Sequence, residues 1–311
     1  MPDIVITEFM DAPSVARLAE RFDTVYDPGL AERAERIPRL LARARALVVR
    51  NRTRVTDELL AEGPRLRVVG RLGVNLDNID VAAAEARGLR VVPAVGTSDD
   101  SVAEYVVAMV LHLLRGAYAA SGEVAAGAWP RTRLIGREAS GKTLGLVGYG
   151  AVARKTAARA RALGMAIAAF DPFVPAGDPA WGGTARIETL PALLAAADAV
   201  SLHVPLTEAT RHLVDAATLS AMRPEAVLIN AARGGVVDEA ALADALRAGT
   251  IAGAALDVFE VEPLPRSAGA VFADCPNLVL TPHIAGVTEE SNARIGAMIA
   301  DAVISSLEGN A

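Results

Sequence analysis

Cysteine is nearly absent. Cys275 is the single one in 311 residues, which excludes internal disulfides and thiolate metal clusters and suits a reducing compartment. Lysine is almost as scarce, occurring only at 142 and 155, so arginine carries the basic charge. Aromatic residues make up 4% and the net charge is −6. Few rings are available for bases to stack on and nothing attracts a polyanion in general, so neither nucleic acid nor an anionic membrane is an expected partner. No apolar run reaches the roughly 18 residues of a membrane span, because Glu104, His112 and Arg115 interrupt the best candidate. Asp3 stands where a secretory leader would carry basic residues. A cytoplasmic globular protein is therefore expected, and 52% hydrophobic content suffices for two full cores.

The chain is organised around Gly148-Tyr149-Gly150-Ala151-Val152-Ala153. The apolar run Leu144–Val147 before it reads as a buried strand and Arg154–Leu163 after it as a helix, giving the order strand, glycine turn, helix. Gly148 allows the tight turn and Gly150 lets backbone approach a pyrophosphate, which would face the free N–H groups of the helix. Ala153, where a third glycine often sits, is still small enough for the helix to lie on a sheet. A second strand, Met165–Phe170, ends in Asp171, about 20 residues beyond the turn, where a carboxylate accepts hydrogen bonds from a ribose diol and repels a 2′-phosphate. Residues 172–174 include no arginine to receive such a phosphate, so NAD is expected over NADP.

Ahead of that turn, Ile4–Thr7, Ala46–Arg50, Arg67–Gly70 and Leu89–Val92 read as buried strands. Between them lie helical stretches at Ser14–Arg21, Ala31–Arg45, Thr56–Ala61 and Ile79–Arg87. This β/α alternation predicts a parallel sheet in a small first domain. In the loop Gly70–Asp77, glycine-flanked N–H groups are placed to hold a small anion, although a plain tight turn has the same composition. A long helix should run to Arg115, with Asp99 or Asp100 as N-cap. The segment 116–140, with Trp129 as apolar anchor, is too long and polar for a simple connector and reads as an arm wrapping a partner subunit, with a surface meander on the same subunit as the alternative. After the glycine turn, strands are expected at Ala199–Leu202, Ala226–Ile229, Gly253–Leu256 and Leu278–Leu280, with helices at Leu190–Ala197, Asp215–Ala221 and Glu239–Ala248. The last helix, Glu289–Leu307, should return to the first domain. The fold expected is α/β, two doubly wound parallel-sheet domains, with a Rossmann dinucleotide domain (98–286) inserted in a flavodoxin-like substrate domain (1–97 and 287–311).

Ligands of open parallel sheets sit beyond the carboxyl ends of the strands. Reading just past each strand of the second domain gives Gly148, Asp171, His203, Arg233, Asp257 and His283. Arg233, followed by two glycines, offers a guanidinium fork able to orient a carboxylate and polarise the neighbouring carbonyl. His283 supplies an imidazole that exchanges protons near neutral pH, and a nearby carboxylate would favour its charged form. By spacing alone Glu260 or Glu262 could be that carboxylate. His203 looks like a cofactor-side loop residue, with a packing role as the alternative. His112 is most simply core, and His212 an ordinary polar-loop residue.

These residues reach a family. Gly148-Tyr149-Gly150 with Asp171, the Asn230–Gly235 and Ala255–Pro263 segments, and Pro282–Gly286 closely resemble the D-isomer-specific 2-hydroxyacid dehydrogenases, in particular the D-3-phosphoglycerate dehydrogenase branch. The likeness extends over Gly70–Asp80 and Ser101–Glu104. It implies an NAD-dependent dehydrogenase in which Arg233 binds the substrate carboxylate and carbonyl, His283 is the acid/base, and Glu262 pairs with His283. It implies that Asp257 contacts the nicotinamide carboxamide, and that Gly148, Gly150, Ala151, Val152, Asp171, His203, Val204, Pro205, Ala231, Ala232, Arg233, His283 and Gly286 line the cofactor. Arg71, Leu72, Gly73 and Val74, with Arg233 and His283, would bind substrate. No metal is implied, and homodimers through 116–140 are the family habit. The departures are Ala153 for glycine and an end at Ala311, short of the regulatory domain that many phosphoglycerate dehydrogenases carry, so feedback by an amino acid is not expected.

The substrate expected is a small 2-hydroxy or 2-oxo acid. If several of Arg50, Arg52, Arg71, Arg131, Arg133 and Arg137 converge, it carries a second anion, as in 3-phosphoglycerate or 3-sulfolactate. The alternatives are a glyoxylate or hydroxypyruvate reductase and a non-catalytic NAD(H)-sensing protein of the co-repressor kind.

Overall fold

A computed structural model describes residues 2–309. The chain divides into two compact units, Met1–Ser98 with Val287–Ala311, and Asp99–Gly286.

The first unit holds a parallel sheet of β1 (Ile4–Ile6), β2 (Thr24–Tyr26), β3 (Ala46–Val49), β4 (Val68–Arg71) and β5 (Arg90–Pro93), in the order β2-β1-β3-β4-β5, the flavodoxin-like winding. Residues alternate between its faces with period two. Ile4 and Ile6 face a core with Ile295, Ile299 and Val303 of the helix Glu289–Glu308, whereas Val5 faces the opposite core with Leu30, Ile37 and Leu41. Both faces being covered, β1 and β3 are buried throughout, and unbroken apolar runs follow. The last helix can lie close because β4 carries Gly70, where an added Cβ would sit 2.6 Å from Ile299.

The second unit holds β6 (Thr143–Val147), β7 (Ala166–Phe170), β8 (Ala185–Arg186), β9 (Ala199–Leu202), β10 (Val227–Asn230), β11 (Gly253–Leu256) and β12 (Leu278–Leu280). All are parallel, in the order β12-β11-β10-β9-β6-β7-β8, which is the doubly wound Rossmann order with one strand added. The winding reverses between β6 and β9, where dinucleotides bind such sheets. The helices Asp99–Arg115 and Ala151–Ala162 pack on one face through Val106, Val110, Ala153 and Ala157. Lys155 and Arg159 of the second reach Asp100 of the first at 2.6 and 2.8 Å.

Several local expectations are corrected. The helix read over 31–45 breaks into a 3-10 stretch, Leu30–Arg36, and a short helix, Ile37–Leu41, because Arg33 leaves helical geometry and Pro38 can only open a new helix. Asp99 and Asp100 lie inside the first turn of their helix and do not cap it. Strands β2 and β8 were not legible: three and two residues long at sheet edges, they lack a buried apolar run. Segment 116–140 forms the 3-10 turn Ala117–Ala120, the helix Ser121–Ala125 and then turns, with Trp129 75% and Ile135 78% exposed. Among the described residues no helix is long and apolar enough to cross a membrane.

Candidate active site

The glycine turn has the shape its sequence requires. Gly148 adopts φ +88, and a Cβ there would lie 2.6 Å from the carbonyl oxygen of His203, so neither the torsion nor the space admits a side chain. Gly150 precedes the helix Ala151–Ala162, offers it no side-chain cap, and has nothing within 4 Å of where a Cβ would be. A helix N-terminus uncapped by a side chain and open toward a bare glycine fits a pyrophosphate. Ala153 is wholly buried, so the methyl in place of a third glycine is absorbed at the helix–sheet contact. Asp171 Oδ2 accepts the N–H of Tyr149 at 2.8 Å and Oδ1 that of Phe173 at 2.9 Å. These bonds aim the carboxylate, and each oxygen keeps a lone pair for a ribose hydroxyl. The Tyr149 ring anchors the turn from beneath, stacked on Trp181 at 4.9 Å with its hydroxyl 2.5 Å from Thr184. These residues fit NAD.

His203 follows β9, with Nε2 3.0 Å from the hydroxyl of Ser201. Burial lowers its pKa to about 4, so the ring is neutral near pH 7 and a poor proton carrier there.

Beyond β10, Asn230 pins the turn that presents Arg233. Its amide donates to the Arg233 carbonyl at 2.9 Å and its Oδ1 accepts from Ala232 N at 3.0 Å. A Cβ on Gly234 would fall 1.7 Å from the Phe259 carbonyl oxygen, which lets the arginine turn and the Asp257–Pro263 loop touch backbone to backbone. In that loop the two glutamates take different partners. Glu262 Oε2 lies 2.6 Å from His283 Nδ1 and its Oε1 accepts from Phe259 N at 3.0 Å. Glu260 lies 3.0 Å from His212 Nε2, so neither it nor His212 belongs with His283. Burial raises the Glu262 carboxyl, but the hydrogen bonds from His283 and Phe259 and the charges of His283 and Arg233 outweigh it and hold it below its ordinary value. Arg233, Glu262 and His283 thus form one electrostatic group.

His283 sits at φ +55, a left-handed conformation that costs a non-glycine residue of order 1–3 kcal/mol. Asp257 holds it there. Its Oδ1 accepts from the Thr281 hydroxyl at 2.6 Å and Ile284 N at 2.8 Å, and Oδ2 from Ala285 N at 2.8 Å. Bonds on both sides of residue 283 fix the loop, and one acceptor position on Oδ2 is left over. Tyr105 lies 2.7 Å from the Thr281 hydroxyl. Nothing in sequence spacing singles out Thr281 or Tyr105.

In the first unit, Arg71 ends β4 in register with Val49 of β3, so Arg50 and Arg71 stand at the carboxyl ends of neighbouring strands. Arg50 donates to Asn292 at 3.1 Å and stacks over Phe9. The Arg71 guanidinium passes over Gly73, where a Cβ would lie 1.5 Å from it, and donates to the Leu72 carbonyl at 3.3 Å. Leu72 is buried and Val74 exposed. Glu8, unremarked in the sequence, is buried beneath this edge and accepts the N–H groups of Arg50, Asn51, Arg52 and Thr53 at 2.9–3.2 Å. Arg52 pairs with Glu32, Arg133 with Glu123, and Arg137 with the Glu225 carbonyl, so these three are engaged locally. Among the described residues no cluster could hold a metal ion.

Known proteins resemble the chain over most of its length. Residues 107–285 match the model of the D-isomer specific 2-hydroxyacid dehydrogenase NAD binding domain. The chain is 53% identical over 303 residues to an (S)-sulfolactate dehydrogenase of Chromohalobacter salexigens, covering 97% of both chains. It is 37% identical to a D-3-phosphoglycerate dehydrogenase of Methanocaldococcus jannaschii, over 99% of this chain but 58% of that protein. It superimposes on D-lactate dehydrogenase from Aquifex aeolicus, solved with NAD and lactic acid, with TM-score 0.83 and 27% identity over 98% of this chain and 96% of that one. The chain belongs to the D-isomer specific 2-hydroxyacid dehydrogenase family and is an NAD-dependent oxidoreductase.

Proposed function

We propose that the protein interconverts a D-configured 2-hydroxy acid bearing a second anionic group, of the 3-sulfolactate type, with its 2-oxo acid. The carrying observation is the pair of arginines at one end of the first sheet, where Arg50 and Arg71 cap neighbouring strands above the buried Glu8 carboxylate. A guanidinium contact to an anion at about 4 Å is worth around 4 kcal/mol before desolvation at an effective dielectric near 20. The name of the 53% identical relative supports the same substrate. Its S label agrees with a D-specific family, because sulfur outranks the oxygens of the carboxylate in priority and reverses the descriptor without changing the hand.

Bound NAD would supply the hydride-transfer chemistry at C2 of the substrate. The chain's own residues do the rest. Arg233 holds the carboxylate in a fork and stabilises charge developing on the C2 oxygen. His283 takes or returns the hydroxyl proton through Nε2, since Nδ1 is turned to Glu262. Glu262 fixes that ring orientation and favours the imidazolium. Gly148, Gly150, Ala151, Val152 and Asp171 would hold the dinucleotide, with His203, Val204, Pro205, Ala231, Ala232, Asp257 and Gly286 lining it. Arg71, Leu72, Gly73 and Val74 are assigned to substrate.

The deciding experiment is a panel of 3-sulfolactate, 3-phosphoglycerate, D-lactate, D-glycerate and hydroxypyruvate with NAD(H), followed by NADH absorbance. We expect kcat/KM for sulfolactate to exceed that for lactate by about 10³, with Arg50→Gln or Arg71→Gln removing most of the difference. Preference for hydroxypyruvate would replace this reading by that of a small-acid reductase.

The protein is further assigned as a cytoplasmic homodimer. The exposed Trp129 and Ile135 of the 116–140 arm support a second copy as their cover, and a compartment with a free NAD pool supports the location. Sedimentation of Trp129→Glu against the native chain tests the dimer.

A further inference from the structure

The helix Asp99–Arg115 begins where the chain enters the second unit, and the loop carrying His283 lies just before Gly286, where the chain leaves it. A side-chain path inside that unit joins the two. Tyr105 Oη and Thr281 Oγ1 are 2.7 Å apart, and Thr281 donates to Asp257 Oδ1 at 2.6 Å. A threonine hydroxyl has one proton, and Asp257, taking the N–H groups of Ile284 and Ala285 as well, is an acceptor throughout. The direction is therefore fixed: Tyr105 donates to Thr281, and Thr281 donates to Asp257. Burial lifts the Tyr105 phenol above its ordinary pKa, with the Thr281 bond opposing and the Asp257 charge adding, so the donor keeps its proton.

We propose that Tyr105 is a positioning residue for the reaction: through Thr281 and Asp257 it holds the left-handed backbone of His283, and so the aim of its imidazole. The inference rests on His283 being the acid/base. A strained residue stays in place only while its surroundings over-determine it. Tyr105 supplies the one bond of this set that comes from outside the 257–285 strand ends. Loosening it lets the ring swing from its productive aim, and misplacement of about 1 Å costs up to about 10²-fold in rate.

The test uses the full chain with NAD and 3-sulfolactate, or the best substrate of the panel above. Tyr105→Phe should lower kcat about 5- to 20-fold, leave KM for NAD within about twofold, and raise the solvent deuterium isotope effect on kcat as proton transfer becomes limiting. Thr281→Val should lose at least as much, Thr281→Ser should restore most of it, and the Tyr105→Phe, Thr281→Val double variant should be no slower than Thr281→Val alone. Thermal melts identify any variant that fails to fold, and Thr281→Ser against Thr281→Ala then carries the comparison. A Tyr105→Phe enzyme with native kcat and isotope effect, or losses that multiply in the double variant, overturns the proposal while His283→Gln stays inactive. A His283→Gln enzyme of native rate overturns the acid/base reading and the proposal with it.

Discussion

His283 Nδ1 lies 2.6 Å from Glu262 Oε2, and the other oxygen of the same carboxylate takes the N–H of Phe259 at 3.0 Å. Two donors thus face one group that only accepts, which is possible for a carboxylate and not for its amide. Glu262→Gln must set an N–H₂ against either Phe259 N or His283 Nδ1, and it removes the charge that favours imidazolium. We expect kcat to fall about 10²-fold with NAD affinity unchanged, measured by steady-state kinetics and by fluorescence titration with NADH. Glu260→Gln, acting on the His212 pair, should leave kcat within about threefold by the same assay.

Glu8 gives the clearest pH dependence. Burial raises its carboxyl, but the N–H groups of Thr53, Arg50 and Arg52 and the Thr53 hydroxyl outweigh that and lower it from 4.5. A depressed folded pKa means that the carboxylate's contribution is fully present above about 4.5 and is lost as pH falls through the lower folded value. Glu8→Gln should destabilise at neutral pH by about 2–4 kcal/mol, because two N–H groups then meet a donor, and should flatten the loss of stability in acid. Urea melts from pH 3 to 7 decide it. Equal acid slopes in both proteins would remove Glu8 as the cause.

Gly234 is a position of space rather than torsion. An alanine methyl there would meet the carbonyl oxygen and carbon of Phe259 at 1.7 and 2.1 Å, and backbone cannot step aside as a side chain does. Gly234→Ala should cost at least about 2 kcal/mol and, by pushing the Arg233 turn off the Glu262 loop, about 10²-fold in kcat/KM. Gly150→Ala, with open space around it, should melt within about 1 kcal/mol of the native chain and lose NAD affinity instead.

Asp171 combines selection with structure. Asp171→Ser removes the charge that repels a 2′-phosphate, and should narrow the preference for NAD over NADP by about tenfold or more in kcat/KM ratios. The same change takes an acceptor from Tyr149 N and Phe173 N, so kcat/KM with NAD should fall as well. Unchanged cofactor ratios would point to another selector.

How far the molecule was legible follows from where its information lies. The strands β6, β9, β10 and β11 are buried throughout apart from the first residue of β6, and such runs announce themselves. Edge strands β2 and β8, and the broken helix at Arg33, carry no such run. The choice between Glu260 and Glu262 could not come from spacing, since both stand within reach in the same loop, and it was made by a histidine that follows another strand.

Residue order alone determined the alternation of apolar strands and helices, the glycine turn, the acid at the end of β7 and the polar residues that follow each strand, because these depend on local periodicity and on what one side chain permits its own backbone. Only the tertiary structure decided which carboxylate meets His283, that Asp257 and Thr281 hold its strained backbone, that Tyr105 stands behind them, and that Glu8 braces the loop bearing Arg50. Each of these rests on hydrogen bonds between groups distant in sequence, and only the folding of the whole domain brings such partners within reach of one another.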